Sequence, residues 1–122
     1  MTIRLARPED LKTIVAIYNE TIASRMVTAD TEEVSVTDKQ AWFDSHTSQR
    51  PIYVYSENDQ VLAWLSYKPF YGRVAYEGTV EISIYITAKA QGKGLGKTLM
   101  EFAQTQAKQL NIKVLLGFIF SH

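Results

Sequence analysis

The chain has 122 residues, with 13 lysines and arginines against 13 aspartates and glutamates, two histidines and no cysteine. That length fits one domain, residues 1–122, built on one core. Balanced charge gives no global field for nucleic acid or an anionic membrane, the missing cysteines exclude disulfides, thiolate metal sites and cysteine nucleophiles, and two histidines argue against a histidine-rich metal site.

Met1 to Arg7 alternates apolar and polar residues and carries Arg4 and Arg7, which predicts a short strand and not the apolar core of a secretory signal. No run approaches the ~18 apolar residues of a membrane span, so the expected location is the cytoplasm. Pro8-Glu9-Asp10 reads as a helix start, with proline in the first turn and two carboxylates at the positive end of the dipole. Leu11, Ile14, Val15, Tyr18 and Ile22 follow at the spacing of one buried helical face. From Ser24 to Ser35 the period is lost among Thr, Asp and Glu, which predicts a long loop, either functional or merely solvated.

Thr37-Asp38-Lys39-Gln40 fits a capping box with Thr37 as the cap and Gln40 reaching back, opening a short helix that carries Trp42 and Phe43. Those two aromatics read as core or groove-lining residues, and His46 as a surface histidine. Pro51 to Tyr55 and Val61 to Tyr67 are β-branched and aromatic around the turn cluster Glu57-Asn58-Asp59, which predicts an antiparallel hairpin. Lys68 to Arg73 breaks the pattern before a long strand from Gly78 to Ile86. Leu95, Leu99, Phe102, Ala103, Ala107 and Leu110 then recur at helical spacing, and Ile112 to Phe120 is a nearly all-apolar strand.

Between the long strand and the last helix lies Gln91-Gly92-Lys93-Gly94-Leu95-Gly96-Lys97-Thr98. Glycines at alternate positions strip the loop of side chains so that consecutive N–H groups can converge on one anion, and a helix starting near Lys97 adds its positive end. The segment reads as a phosphate cradle, with a flexible strand-to-helix loop as the bland alternative. A dinucleotide fingerprint fails at Lys97, where its third glycine belongs. A nucleotide P-loop finds Gly96-Lys97-Thr98 but has Gln91 in place of its first glycine, and the last strand ends at Ser121 and His122 with no acidic residue for magnesium.

Gln91, Gly94 and Gly96 do satisfy Q-x-x-G-x-G, the pyrophosphate motif of the GNAT N-acetyltransferases. Phe70-Tyr71-Gly72-Arg73, Tyr76, Thr79 to Ile86, Ile17-Tyr18-Asn19 and Trp42-Phe43 resemble the phosphinothricin acetyltransferase branch of that superfamily. The resemblance implies an α/β (α+β) fold with a central mixed, mostly antiparallel sheet flanked by helices. The order β-α-α-β-β-β-α-β matches its first five strands, without the C-terminal helix and last two strands, so a longer native chain is expected, or a homodimer that covers the bare edge.

The resemblance also implies acetyl-CoA as cosubstrate, with no metal, and a small-molecule amine as acceptor. Gln91, Gly92, Lys93, Gly94, Leu95, Gly96 and Lys97 would hold the pyrophosphate. A bulge in the long strand would free backbone groups of Ile84, Tyr85 and Ile86 for the pantetheine arm and the thioester oxygen. Glu81 alternates onto one face with Ser83 and Tyr85, opposite Val80, Ile82, Ile84 and Ile86. A solvated strand glutamate accounts for it on residues alone; the resemblance makes it the general base. Arg73 has the fork for a carboxylate or phosphinate, and Tyr76 could line the same pocket, while a solvated loop arginine reads as well. By resemblance the acceptor is the α-amine of phosphinothricin, methionine sulfoximine or methionine sulfone. A P-loop nucleotide binder and a catalytically silent acyl-CoA-binding module remain as alternative functions.

Overall fold

The computed structural model describes residues 2–23, 34–47, 50–69, 79–90, 92, 94–110 and 114–120. Five strands form one sheet in the order β1-β2-β3-β4-β5: β1 Thr2–Leu5, β2 Ile52–Glu57, β3 Gln60–Pro69, β4 Thr79–Ile86 and β5 Val114–Phe120. The first three pairings are antiparallel and the last, β4 with β5, is parallel. Helix α1 (Leu11–Ala23) and helix α2 (Val36–Asp44) lie between β1 and β2, and helix α3 (Leu95–Gln109) connects β4 to β5.

The hairpin forms where its turn chemistry asks for it. Asn58 and Asp59 both take positive φ, 51° and 62°, the backbone of a two-residue turn whose twist matches that of the flanking strands. The register shifts between Tyr55 and Ser56, which pair with Ala63 and Val61, so the extra residue, Leu62, makes one bulge in β3.

Both faces of the sheet are covered. On one, Val80, Ile82, Ile84 and Ile86 of β4 join Leu65 and Tyr67 of β3 and Leu95, Leu99 and Ala103 of α3 in the larger core. The Tyr67 hydroxyl, fully buried, donates to the Ala103 carbonyl at 2.9 Å and ties the middle of α3 to the sheet. Burial pushes that phenol well above its ordinary range. On the opposite face Ile14, Ile17 and Tyr18 of α1 pack on Val54, Trp64 and Tyr85, with Trp42 and Phe43 of α2 at the margin. The expected face of α1 is thus met at Leu11, Ile14, Val15 and Tyr18, widened by Ile17.

Some boundaries and caps differ from expectation. Pro8–Asp10 forms a 3-10 turn ahead of α1. Asp10 does not simply face the dipole: its carboxylate accepts from Arg4 Nη1 at 2.7 Å, Arg4 Nη2 at 3.1 Å and the Arg7 amide at 2.7 Å. Helix α2 starts earlier than Thr37 and Gln40 suggested. Its cap is Ser35, whose Oγ accepts from the Asp38 amide at 3.0 Å while Asp38 accepts from the Ser35 amide at 3.0 Å. A charged carboxylate at the third helical position answers both the open amide and the dipole, which neutral Gln40 cannot do as well. His46 is half-buried and not a surface residue, with Nδ1 at 2.9 Å from the Trp42 carbonyl and its ring 4.9 Å from that of Trp42.

Two outcomes follow from these contacts. Replacing Tyr67 by Phe should lower stability by about 1 kcal/mol, the usual net value of one hydrogen bond, measurable by urea denaturation. The Arg4 guanidinium and the Arg7 amide hold the Asp10 carboxyl below its ordinary pKa, despite the opposing effect of burial. A depressed folded-state pKa contributes stability that is full above the unfolded value and lost as pH falls through the folded one. Asp10→Asn should therefore destabilise the protein at neutral pH by about 1.5–3 kcal/mol and make its stability less steep in pH below about 4 than that of the parent.

Candidate active site

The site is set by the exit from β4. Thr87 closes the strand, donating its amide to Leu62 O at 2.9 Å, and Ala88–Ala90 make a 3-10 turn closed by Ala90 N to Thr87 O at 3.0 Å. Ala90 is buried in the larger core, so the chain is anchored just before the glycines. Gly92 and Gly94 then adopt φ of +78° and +73°, left-handed values that L side chains rarely adopt. Among the described residues nothing lies within 4 Å of where a Cβ would project from either glycine. Among the described residues, the backbone there is open to a ligand.

Helix α3 begins at Leu95, two residues before Lys97, because buried Leu95 enters the core as soon as the left-handed Gly94 ends the loop. Its first backbone bond is Thr98 N to Gly94 O at 3.2 Å, so the amides of Leu95, Gly96 and Lys97 have no partner within the helix. Gly94, the capping residue, has no side chain to accept from them. In α2 the comparable amide of Asp38 meets the Ser35 hydroxyl, and the amide of the capping Ser35 meets the Asp38 carboxylate. An uncapped helix start beside two left-handed glycines suits a phosphate, and the exposed Lys97 adds charge. Gly96 belongs to the helix itself, so the left-handed glycines of the cradle are Gly92 and Gly94. Thr98, the residue a nucleotide loop would turn toward magnesium, instead donates its hydroxyl to Gly94 O at 3.2 Å.

Glu81 stands near the other end of β4, in register with Lys68 on β3 and Leu116 on β5. It shares a face with Ser83 and Tyr85, as expected; that face is the one packed by α1 and α2, and Glu81 is half-buried on it. That face is less polar than its sequence suggested. Tyr85 is buried there, stacked on Trp64 at 4.5 Å and 12°, with Tyr18 at 5.4 Å. From Glu81 to Ile86 the strand advances five residues, about 17 Å at the usual rise, so a ligand that reaches both the glycines and the carboxylate must be long.

The bulge expected to free Ile84, Tyr85 and Ile86 is not found. Register with β5 runs unshifted from Thr79↔Val114 to Tyr85↔Phe120. Because Thr87 bonds across to Leu62, the antiparallel alternation directs the backbone of Tyr85 to β3 and that of Ile84 and Ile86 to β5. Of the three, Ile86 alone lies past the last residue paired with β5. Gln91, Lys93, Arg73 and Tyr76 lie outside the described residues, so the site assembled here consists of Glu81, the end of β4 and Gly92 to Lys97 without Lys93.

Two residues of α1 complete the surroundings. Asn19 donates Nδ2 to Val34 O and accepts from Val34 N, both at 2.9 Å, joining α1 to the approach to α2. Glu20 accepts from Thr87 Oγ1 at 2.7 Å and from the Ala88 amide at 2.8 Å. Ile17-Tyr18-Asn19 was legible as a family-like string, whereas nothing in the sequence connects Glu20 to Thr87.

A mixed sheet whose fourth strand leads through left-handed glycines into a helix, with a parallel fifth strand beyond it, has the layout of an acyltransferase fold. The model of the acetyltransferase (GNAT) family matches residues 14–120, and the chain belongs to that family. It is an acetyltransferase. The chain is 54% identical over its full length to a Bacillus subtilis protein named "Putative phosphinothricin acetyltransferase YwnH", covering 76% of it. It is 35% identical to the L-methionine sulfoximine/L-methionine sulfone acetyltransferase of Pseudomonas paraeruginosa, over 98% of this chain and 71% of that one. Among solved structures, a phosphinothricin acetyltransferase from Sinorhizobium meliloti in complex with acetyl-CoA superposes with a TM-score of 0.85 at 29% identity, over 95% of this chain and 64% of that one.

A side chain at Gly94 meets both constraints at once. Gly94→Ala should cost about 1–2 kcal/mol of stability through its left-handed backbone. It should also weaken acetyl-CoA binding by roughly tenfold or more by occupying the ligand's side of the loop. Thermal denaturation and calorimetric titration would read the two effects separately.

Proposed function

We propose that this acetyltransferase moves the acetyl group of acetyl-CoA to the α-amine of a small amino acid analogue of the phosphinothricin, methionine sulfoximine or methionine sulfone type. The observation that carries the cofactor half of this reading is the start of α3: left-handed Gly92 and Gly94, open space before them, and a helix end with no side-chain cap. The N–H groups of Gly94 to Lys97 would receive the pyrophosphate, with Gln91 and Lys93 beside them. The arm would run back along β4, where the carbonyl of Ile86, beyond the β5 register, would accept a hydrogen bond from it. The ~17 Å between the glycines' end of β4 and Glu81 suits such an extended cosubstrate better than a compact anion. The acceptor class is supported by the names of the two relatives.

The chemistry asks for one base. The amine nitrogen attacks the thioester carbonyl, the C–N bond forms as the C–S bond breaks, and the sulfur leaves with the coenzyme. The ammonium group gives one proton to Glu81, directly or through a water, before attack, and the second proton, lost by the nitrogen as the amide forms, ends on the departing thiolate as the free thiol. Glu81 is half-buried on the α1/α2 face of β4, the side from which the acceptor would enter. Arg73 and Tyr76 would bind the acceptor's acidic group.

The test is thiol release from acetyl-CoA with methionine sulfoximine, methionine sulfone and phosphinothricin as acceptors. Glu81→Gln should lower kcat by roughly 10²–10⁴-fold, the usual contribution of a positioned base, and leave the acetyl-CoA Kd unchanged. Full activity in that variant would remove Glu81 from the role, and no turnover with any of the three amines by the parent would remove the acceptor class.

A further inference from the structure

Glu20 is a charged residue in an awkward place. It sits in the last turn of α1, where a carboxylate faces the negative end of the helix dipole and is disfavoured. Half-buried there, it spans 67 residues of sequence to accept the Thr87 hydroxyl at 2.7 Å, and it takes the Ala88 amide at 2.8 Å. Thr87 is itself buried, and its amide and carbonyl are committed to Leu62 and Ala90. Glu20 thus supplies from another element the acceptor that the 3-10 turn Ala88–Ala90 has no side chain to supply.

That turn delivers the chain to Gly92 and Gly94. Glycines with open space around them do not fix their own direction, so the path of the cradle depends on how firmly the residues before it are held. On the β4 side the hold consists of the Thr87 amide, the burial of Ala90 and the two bonds to Glu20. We propose that Glu20 is a positioning residue for the glycine loop: it clamps the exit of β4 so that the amides at the start of α3 converge on the pyrophosphate. It touches no reacting atom. The inference deepens the cofactor reading above and rests on it for the ligand, but not for the clamp.

The experiment compares the parent with Glu20→Ala, Glu20→Gln and Thr87→Val in two measurements. Amide hydrogen exchange without ligand should accelerate from Ala88 to Leu95 in Glu20→Ala, and to a smaller extent in Thr87→Val, with the middle of α1 unchanged. Glutamine should restore most of the protection, since its oxygen can accept the Ala88 amide while its nitrogen donates to Thr87 Oγ1. By calorimetry below the unfolding temperature, Glu20→Ala should raise the acetyl-CoA Kd by about tenfold and Glu20→Gln by much less. Unchanged exchange from Ala88 to Leu95 in Glu20→Ala, or in Thr87→Val should the alanine variant not fold, would overturn the clamp. Altered exchange with an unchanged Kd would overturn its link to the ligand. Failure of the parent to bind acetyl-CoA would instead overturn the cofactor reading, and exchange would still decide the clamp.

Discussion

The structure depends on the change of direction at β4. Three antiparallel pairings carry the sheet from β1 to β4; the two residues Asn58–Asp59 suffice between β2 and β3, while the connection from β1 to β2 carries α1 and α2. The parallel pairing with β5 cannot be closed that way, because the chain must travel back over the sheet before it can run alongside itself. Helix α3 is that return. Its start must therefore lie outside the carboxyl end of β4, where helix N-termini and strand ends commonly build ligand sites in parallel sheets.

Covering both faces of β4 divides its residues between two tasks. The isoleucines at 82, 84 and 86 meet α3 in a dry layer, and the Tyr67 hydroxyl fixes how α3 lies across it. On the other face Tyr85 secures the strand through aromatic contacts, while Glu81 and Ser83 remain half-buried. The same alternation that builds the core hence presents a carboxylate on the face where α1 and α2 lie. The lysine Nζ of Lys39 from α2 sits 4.8 Å above the Tyr18 ring, a cation held by the aromatic layer itself.

Much of this was legible because it rests on local signals. Alternation gave β4 its two faces, helical spacing gave α1 and α3 their buried residues, and Asn58–Asp59 marked the hairpin. The left-handed lead into α3 was legible because Gly92 and Gly94 stand just before a run at helical spacing. What failed was competitive or distant. Ser35 and Thr37 both offer plausible caps, and the choice turned on the carboxylate of Asp38 over the amide of Gln40. The unshifted β4–β5 register depends on two strands meeting across a helix, which no local pattern encodes. Glu20 looked like one more surface charge because its partners are 67 and 68 positions away.

The aromatic layer also has an optical meaning. The chain has two tryptophans, Trp42 and Trp64, and both lie on the α1/α2 side, 5.4 Å apart at their ring centres. Trp64 is buried and stacked on Tyr85, so its indole ring is shielded from bulk solvent. Intrinsic fluorescence therefore watches one layer of the molecule. Loss of order confined to α3 would leave the tryptophan emission almost unaltered while the helical circular dichroism fell, so the two signals separate the layers wherever unfolding is not all-or-none.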